Sequence, residues 1–400
     1  MNLGHGYIPR IDGRNFKAVE RCLPRDGPGL FHEGLDLPWA VLEAPWALIQ
    51  GTATREFCRD RGVATIVDTQ AWRYRDSRTF AVEKFAAAPY APSSPISECS
   101  DKELASFVEE CLKTQASLGA AAYLLPGVIP TGPRDDVSRL SLELLEASQR
   151  LLPNDARPCF AFLGVHTASI AAAHRLINEL PHWLEGVYVQ FTPINPLSDS
   201  PAKLIDCLLL LRQLVQRGFT VLGGRLANVG YLARALGVGA TDSGLGEGES
   251  FDYRTKVSSY QPRAADAKPP RPVTGRLFVP QIGRSVSVSE WARLMSVPAL
   301  RGQLVCRLRC CAFGQPVEST PQRGREHSLH ARVDEAKRLQ PVSGAASIEA
   351  VGLLLEQRQS TARMVSHSLA AAGLDPLGTE FIENQIAVVR FLRGAISDVA

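Results

Sequence analysis

Short apolar segments alternate with longer amphipathic segments along most of the chain, and this alternation constrains the fold more than any other feature of the sequence. Segment 63–68, VATIVD, is β-branched and continuous, as expected for a parallel strand buried on both faces. A helical period over residues 103–118 ends at Gly119. Strands separated by helices indicate right-handed βαβ units on a parallel sheet. The predicted strands are 40–44, 63–68, 121–125, 158–165, 186–192, 219–223 and 239–242.

Seven or eight such strands before residue 245 favour a closed (β/α)8 barrel of the TIM type over an open doubly wound sheet. No GxGxxG follows the first strand, which argues against a dinucleotide-binding sheet. Four parts are expected: an irregular N-terminal cap at 1–38, the barrel at 39–300, a Cys/His module at 301–340 and a C-terminal helical segment at 341–400. The active site of such a barrel lies at the C-terminal ends of its strands.

The cysteine content and the apolar runs predict a cytoplasmic protein without membrane association. Nine Cys is an odd count, and Cys111, Cys159 and Cys207 stand singly in apolar segments, which suggests reduced core thiols. The N-terminal residues lack the charged-then-apolar layout of a secretory signal. No run approaches the ~18 apolar residues that a membrane helix needs.

Charge is distributed unevenly along the chain. The net charge is only +3, yet between Arg254 and Gln340 sixteen Lys and Arg stand against six Asp and Glu. This asymmetry predicts an anionic partner on one side of the molecule. The alternative is a solvated loop, because the Pro-rich tract 262–273 has the composition of a flexible linker.

The first candidate site follows strand 63–68. Asp68 ends this strand, and Gln70, Trp72 and Arg73 come directly after it. A carboxylate at a strand end, followed by amide, aromatic and guanidinium groups, fits a ligand cradle at the barrel mouth. The alternative is that Asp68 caps the next turn.

Later strands also end in polar or glycine residues. His166 ends strand 158–165, where it either binds substrate or caps the following helix, and Gln190 lies near the end of the next strand. Gly223 and Gly224 would let the backbone approach a ligand closely, and Arg225 can fork onto a phosphate or carboxylate. A tight turn would explain the two glycines equally well.

Segment 239–249, GATDSGLGEGE, places Asp242, Glu247 and Glu249 among four glycines. Acids on a glycine-flanked loop fit a nucleophile or general base, and a flexible loop is the alternative. Asp68 and Asp242 come from separate strands and would converge over the barrel mouth. Two carboxylates in that arrangement can cleave a glycosidic bond, one attacking and the other moving protons.

A group of thiols and imidazoles near the C-terminus has the ligand types of a zinc site. The spacing departs from the C-x2-C of strict zinc motifs, so strand thiols beside a helical face of His are the alternative. The residues concerned are Cys306, Cys310, Cys311, His327 and His330.

The order of these features resembles the tRNA-guanine transglycosylases, including the related enzymes that insert 7-deazaguanines into DNA. IVDTQ at 66–70 looks like the family strand that ends in Asp-Ser-Gly-Gly-Phe-Gln, and 160–189 is similar to its ligand loop, helix and next strand. VLGGRLANVGYLARALGVGATDSG at 221–244 looks like the segment leading to the family nucleophile. The chain departs from the family in having Asp-Thr-Gln-Ala-Trp at the first motif. After Val189 it has no Gly-Gly-Leu-Ala-Val-Gly-Glu loop.

The resemblance implies base exchange on a nucleic acid. Asp242 would attack the sugar C1′ and displace a guanine-type base, and Asp68 would handle the proton. The implied partners are tRNA or DNA and a purine or 7-deazapurine base, and a homodimer is one option for the assembly. A structural zinc ion would be held by Cys306, Cys310 and Cys311 with either His327 or His330.

Two other functions remain open from the residues alone. One is a small-molecule lyase or hydrolase that grips a phosphate with Gly223, Gly224 and Arg225. The other is a non-catalytic barrel that binds nucleic acid.

Overall fold

The computed structural model describes residues 3–23, 35, 37–245, 250–258, 276–304, 306, 308, 321–339 and 344–397. Eight parallel strands form its centre, and helices surround them. The strands are β1 Tyr7–Ile11, β2 Trp39–Glu43, β3 Ala64–Asp68, β4 Tyr123–Leu125, β5 Cys159–His166, β6 Gly186–Thr192, β7 Thr220–Gly224 and β8 Ala240–Ser243. The helices that accompany them are α1 Phe16–Cys22, α2 Ala44–Ile49, α3 Ala53–Asp60, α4 Glu83–Ala86, α5 Asp101–Ser117, α6 Ser138–Leu151, α7 Ile170–Glu179, α8 Pro201–Gln216, α9 Gly230–Ala235 and α10 Tyr253–Ser258.

The sheet closes on itself, which confirms the predicted (β/α)8 barrel. Its strand order is β3-β2-β1-β8-β7-β6-β5-β4, and every named pairing in it is parallel. The two ends of this order meet at a parallel bridge between Ile66 and Ala122. The Ala121 amide donates to the Thr65 carbonyl at 2.8 Å across the same seam. All strand C-termini therefore open onto one face of the barrel.

The predicted N-terminal cap at 1–38 is wrong, because the barrel begins with β1. This strand pairs with β2 and β8, and all five of its residues are buried. Its sequence, YIPRI, hides the strand because proline lacks an amide donor and arginine rarely faces a core. Arg10 does so here because acids inside the barrel neutralise it.

Among the described residues, a hairpin and five helices follow the barrel. They are β9 Arg276–Val279, β10 Arg284–Ser287, α11 Val288–Ser296, α12 Pro298–Leu304, α13 Pro321–Arg338, α14 Ala345–Ala371 and α15 Glu380–Ser397. β9 and β10 pair with each other outside the barrel sheet, so the barrel ends well before the predicted residue 300. Buried polar contacts fix these helices to the barrel: Arg234 donates to the Ala336 carbonyl at 3.1 Å, and the Tyr231 hydroxyl donates to Gln385.

Local capping explains where several helices begin. Ser100 and Glu103 form a capping box at the start of α5, and Ser287 and Glu290 do the same for α11. Within the described ranges, no helix combines the length and apolar character needed to cross a membrane.

Glycine in β5 is required for close packing, which yields a stability prediction. A Cβ on Gly164 would collide with the Val128 carbonyl oxygen and lie 2.7 Å from the Ile129 Cα. We expect Gly164→Ala to lower the free energy of unfolding by about 1–3 kcal/mol, as overpacking does. Gly302→Ala in α12 is the control: its Cβ would meet nothing within 4 Å, and we expect a gain of about 0.5–1 kcal/mol. Urea unfolding followed by circular dichroism measures both, and equal midpoints for the two variants would contradict this packing.

Candidate active site

A buried arginine stands at the centre of a hydrogen-bond network at the C-terminal end of the barrel. Arg10 on β1 is 2% exposed. Its Nη1 donates to Asp68 Oδ2 at 2.7 Å, and its Nη2 donates to Asp242 Oδ2 at 3.0 Å and to the Tyr188 hydroxyl at 2.7 Å. Nη1 also lies 3.4 Å from Glu43 Oε1. One guanidinium on β1 thus contacts side chains from four other strands of the barrel, β2, β3, β6 and β8.

The predicted pair of acids does converge, but on Arg10. Because both bind one guanidinium at 2.7 and 3.0 Å, their carboxylates lie within about 8 Å, inside the ~5–9.5 Å range of paired glycosidic acids. The remaining oxygens are occupied too: Asp68 Oδ1 accepts the Gln70 amide at 2.8 Å. Asp242 Oδ1 accepts the Arg225 amide at 2.8 Å, and Oδ2 also accepts the Tyr188 hydroxyl. With side chains 6% and 2% exposed, these acids serve as counter-ions of Arg10.

Glu43 is the least buried acid of this network. It ends β2, and its side chain is 13% exposed. Its Oε1 accepts from Arg225 Nη2 at 3.1 Å in addition to Arg10. Asp12, directly after β1, is also partly exposed, and its Oδ1 accepts the amides of Arg14 and Asn15 at 2.9 Å each.

The pKa values of Asp12 and Glu43 are moved in opposite directions. Burial raises the pKa of the Asp12 carboxyl, and the negative charge of Glu43 raises it further. Burial also acts to raise the pKa of Glu43, but the charges of Arg10 and Arg225 outweigh it, so that the pKa falls below its usual value. Two carboxyls with diverging pKa values can divide the roles of proton donor and base or nucleophile.

Two lysines interact electrostatically with Glu43 and with the arginines near it. Burial, together with repulsion from Arg225 and Arg73, lowers the pKa of Lys256 to about 8. Burial also lowers the pKa of Lys84, with Glu43 opposing the shift and Arg73 adding to it. A bound anion would offset the repulsion between these cations and favour the protonated forms of the two lysines. We call Asp12, Glu43, Lys84, Arg225 and Lys256 the mouth site.

The predicted cradle after β3 forms a packed layer beside the mouth site. Gln70, Trp72 and Arg73 are all buried, and Gln70 adopts a left-handed φ of 54°. Arg73 Nε donates to the Gln70 side-chain oxygen, and its guanidinium lies 4.3 Å from the Trp72 ring centroid and 4.9 Å from that of Phe85. These residues shape the wall, and Arg73 adds positive charge to the site.

The glycine pair of β7 makes room for side chains instead of a phosphate. A Cβ on Gly224 would lie 2.5 Å from the Tyr188 hydroxyl oxygen, and one on Gly223 would lie 2.5 Å from Leu226 Cδ1. The Arg225 amide, which a phosphate would need, is already bound to Asp242. Packing therefore explains both glycines, whereas the Arg225 guanidinium belongs to the mouth site; the phosphate grip stays a prediction.

The other candidate residues lie elsewhere. His166 Nδ1 accepts the Ala168 amide at 3.2 Å, in the turn before α7, so it does not cap that helix, whose N-cap is Ser169. Burial and the charge of Arg254 lower its pKa. Gln190 is buried and donates to the Phe191 carbonyl at 3.2 Å. Glu247 and Glu249 lie outside the described residues.

The predicted zinc ligands are described only in part. Cys310 and Cys311 lie outside the described residues, and among those described no group of three or more His, Cys, Asp or Glu is arranged to hold a metal ion. His327 Nε2 lies 2.7 Å from the Phe278 carbonyl oxygen. Burial and the neighbouring His327 lower the pKa of His330 to about 4, while Cys306 acts in the opposite direction. Zinc stays a prediction.

Sequence reasoning missed Arg10, Asp12 and Glu43. Each lies at or directly after the end of a barrel strand, where function concentrates. The signal was available for Glu43, which is the one charged residue of the predicted strand 40–44 and lies next to its end. Arg10 and Asp12 required β1 to be recognised first.

Comparisons with known proteins assign no family. No family model matches the chain, and no curated protein matches it. Among solved structures, a psychrophilic glycoside hydrolase family 10 endo-β-1,4-xylanase aligns with a TM-score of 0.34 and 11% identity, over 60% of this chain and 85% of that chain.

The Arg10 network predicts a large stability effect. Arg10→Met leaves two buried carboxylates without their counter-ion, and we expect the free energy of unfolding to fall by about 3–5 kcal/mol. Arg59→Met is the matched control, because Arg59 forms an exposed pair with Asp60 on α3, where we expect a change within about 1 kcal/mol. Urea unfolding at neutral pH measures both. Equal losses in the two variants would contradict the central role of Arg10.

Proposed function

We propose that the chain is an enzyme that binds a phosphate-bearing substrate at the mouth site and cleaves or exchanges a glycosidic bond there. Glu43 would act as nucleophile and Asp12 as proton donor. One observation carries the proposal: Glu43 is an ionised, partly exposed carboxylate at a strand end, held by Arg10 and Arg225. The functional groups of TIM barrels lie at such strand ends.

The reaction needs two steps. Glu43 would form a bond to the anomeric carbon as the bond to the leaving group breaks, and the leaving group would take the electron pair and the proton of Asp12. An incoming base or water would then attack the same carbon and displace Glu43, and Asp12 would take back a proton. Arg10 and Arg225 orient Glu43, and the Lys256 ammonium and Arg225 guanidinium would bind the substrate phosphate.

Base exchange in tRNA or DNA is the finer form of this proposal, and it comes from the sequence resemblance. The cationic mouth site supports a nucleic-acid or nucleotide substrate, because each carries phosphate. The residue roles differ from those that the resemblance implies. Asp242 and Asp68 have every carboxylate oxygen bound within the protein, so we assign the reacting roles to Glu43 and Asp12.

A non-catalytic binding barrel is the second candidate. All four carboxylate oxygens of Asp68 and Asp242 accept hydrogen bonds within the protein, and this favours a non-catalytic barrel. A chain that had lost catalysis could keep the two acids as counter-ions of Arg10. Such a protein would bind phosphate-bearing polymers and tolerate the loss of Glu43.

Substitution of Glu43 and Asp12 tests the proposal. The assays would measure release of base from nucleoside 5′-monophosphates, and incorporation of radiolabelled guanine into tRNA and DNA. We expect Glu43→Gln to lower kcat by at least about 100-fold, because a neutral amide cannot attack the sugar. The wild-type rate should fall at low pH as Glu43 is protonated and at high pH as Asp12 loses its proton. In Asp12→Asn, the decrease of the rate at high pH should be absent.

Glu146→Gln, an exposed acid on α6, is the control and should keep the wild-type rate. Wild-type rates in a folded Glu43→Gln protein would contradict the assignment. If activity survived that change and vanished in Asp242→Asn with the fold intact, the roles implied by the resemblance would replace ours. Phosphate binding without turnover by the wild type would favour the binding barrel.

A further inference from the structure

We propose that the rim of the barrel carries a second anion site that takes a phosphate group, separate from the mouth site and not required by the reaction assigned to Glu43. The site is a groove of about 520 Å³ between the segments that follow β3 and β4 and the first turn of α10. We call it the rim groove, and its lining residues are Asp76, Arg78, Thr131, Tyr253, Arg254 and Thr255.

One wall of the rim groove is fixed by a half-buried ion pair. Arg75 donates from Nη1 and Nη2 to the two Asp135 oxygens at 2.6 Å each. Asp135 Oδ2 also accepts the amide and the hydroxyl of Thr131 at 2.7 Å each. Burial acts to raise the pKa of Asp135, but these hydrogen bonds outweigh it and lower the pKa to about 2. The wall therefore holds one geometry at neutral pH.

Acceptors on the groove are already used within the protein. Both Asp76 oxygens accept from Arg78, through Nε at 2.8 Å and Nη2 at 2.5 Å. The Thr131 carbonyl accepts from Arg254 Nε at 2.7 Å. Asp252 caps the start of α10 by accepting the Arg254 amide at 3.1 Å and the Thr255 hydroxyl at 2.6 Å.

Several donors remain for a ligand. Within the described part of the chain, no hydrogen bond uses Arg78 Nη1 or either Nη of Arg254. Gly132 keeps space open beside Arg254, because a Cβ there would lie 3.0 Å from Nη2. The two guanidinium groups face the same groove, and each has at least one nitrogen that donates no hydrogen bond among the described residues. Such a pair fits an anion with several acceptor oxygens.

The Tyr253 hydroxyl indicates a ligand independently of the two arginines. Its side chain is buried, and among the described residues its oxygen has no hydrogen-bond partner. Burial, with a smaller effect from Asp76, raises the pKa of Tyr253 to about 12, so the group stays a donor at neutral pH. Its ring is fixed 5.8 Å from that of Trp72, and its amide donates to Thr192 Oγ1 at 2.9 Å. A buried donor without an acceptor is costly, and a bound phosphate oxygen would supply one.

Helix α10 joins the two anion sites. Arg254 lines the rim groove, and Lys256, two residues later, interacts electrostatically with the mouth-site residues Glu43 and Arg225. The phosphate in the rim groove therefore comes either from the substrate held at the mouth or from a separate phosphorylated molecule.

Equilibrium dialysis with radiolabelled inorganic phosphate tests the rim groove. We expect two phosphates per wild-type chain. Arg254→Gln should weaken one of them at least about ten-fold through loss of charge-assisted hydrogen bonds. Tyr253→Phe should weaken the same one about three- to ten-fold. Arg225→Gln should weaken only the other, and Arg59→Gln at the end of α3 should leave both unchanged. Circular dichroism establishes that each variant is folded.

Equal phosphate binding by the wild type, Arg254→Gln and Tyr253→Phe would overturn the rim groove. Loss in Arg254→Gln without any loss in Arg225→Gln would keep the rim groove and count against the mouth site. The two proposals therefore fail separately.

A mononucleotide and a 5′-phosphorylated dinucleotide distinguish the sources of the phosphate. If the phosphate belongs to the substrate, the dinucleotide should bind the wild type more tightly, and Arg254→Gln should remove that advantage. If it belongs to a separate molecule, both nucleotides should bind equally, and inorganic phosphate should still occupy the rim groove beside them. Either result requires the groove to bind phosphate.

Discussion

Arg10 brings a positive charge into the barrel, and the structure around it follows from the need to neutralise that charge. An unpaired buried guanidinium would be too costly to keep, so acids from other strands bind it. Asp68 from β3 and Asp242 from β8 supply the charge, and Tyr188 from β6 joins them. The same demand requires Gly224, because any side chain there would displace the Tyr188 hydroxyl.

This network separates the acids of the barrel into two kinds. Asp68 and Asp242 are buried counter-ions of Arg10, at 2.7 and 3.0 Å. Glu43 lies farther from Arg10, at 3.4 Å, and its side chain stays partly exposed. The charges of Arg10 and Arg225 outweigh burial and lower the pKa of Glu43, whereas burial and the charge of Glu43 raise the pKa of Asp12. The buried arginine thus lowers the pKa of Glu43, one of the two groups to which we assign chemistry, although it would touch no substrate itself.

The sequence predicted the barrel because buried parallel strands are β-branched and regularly spaced, and it predicted that Asp68 and Asp242 meet because parallel strand ends share one face. It could not predict what they bind. Arg10 lies in YIPRI, where a proline and an arginine mask the strand. Because β1 was not recognised, nothing in the sequence indicated where Asp12 lies or that Asp68 and Asp242 bind an arginine. The sequence also contained no indication of the rim groove, because Arg78, Thr131 and Tyr253 come from separate segments whose contacts follow no sequence period.

Carbodiimide labelling of carboxyl groups with glycine ethyl ester, mapped by mass spectrometry, tests the division of the acids most directly and needs no substrate. Glu43 should react in the native protein, more slowly than the exposed Glu146, and added phosphate should slow it further. Asp68 and Asp242 should react only after unfolding, or after Arg10 is replaced. Labelling of Asp242 in the native protein as fast as Glu43 would contradict the account, because it would show that Arg10 does not hold that carboxylate.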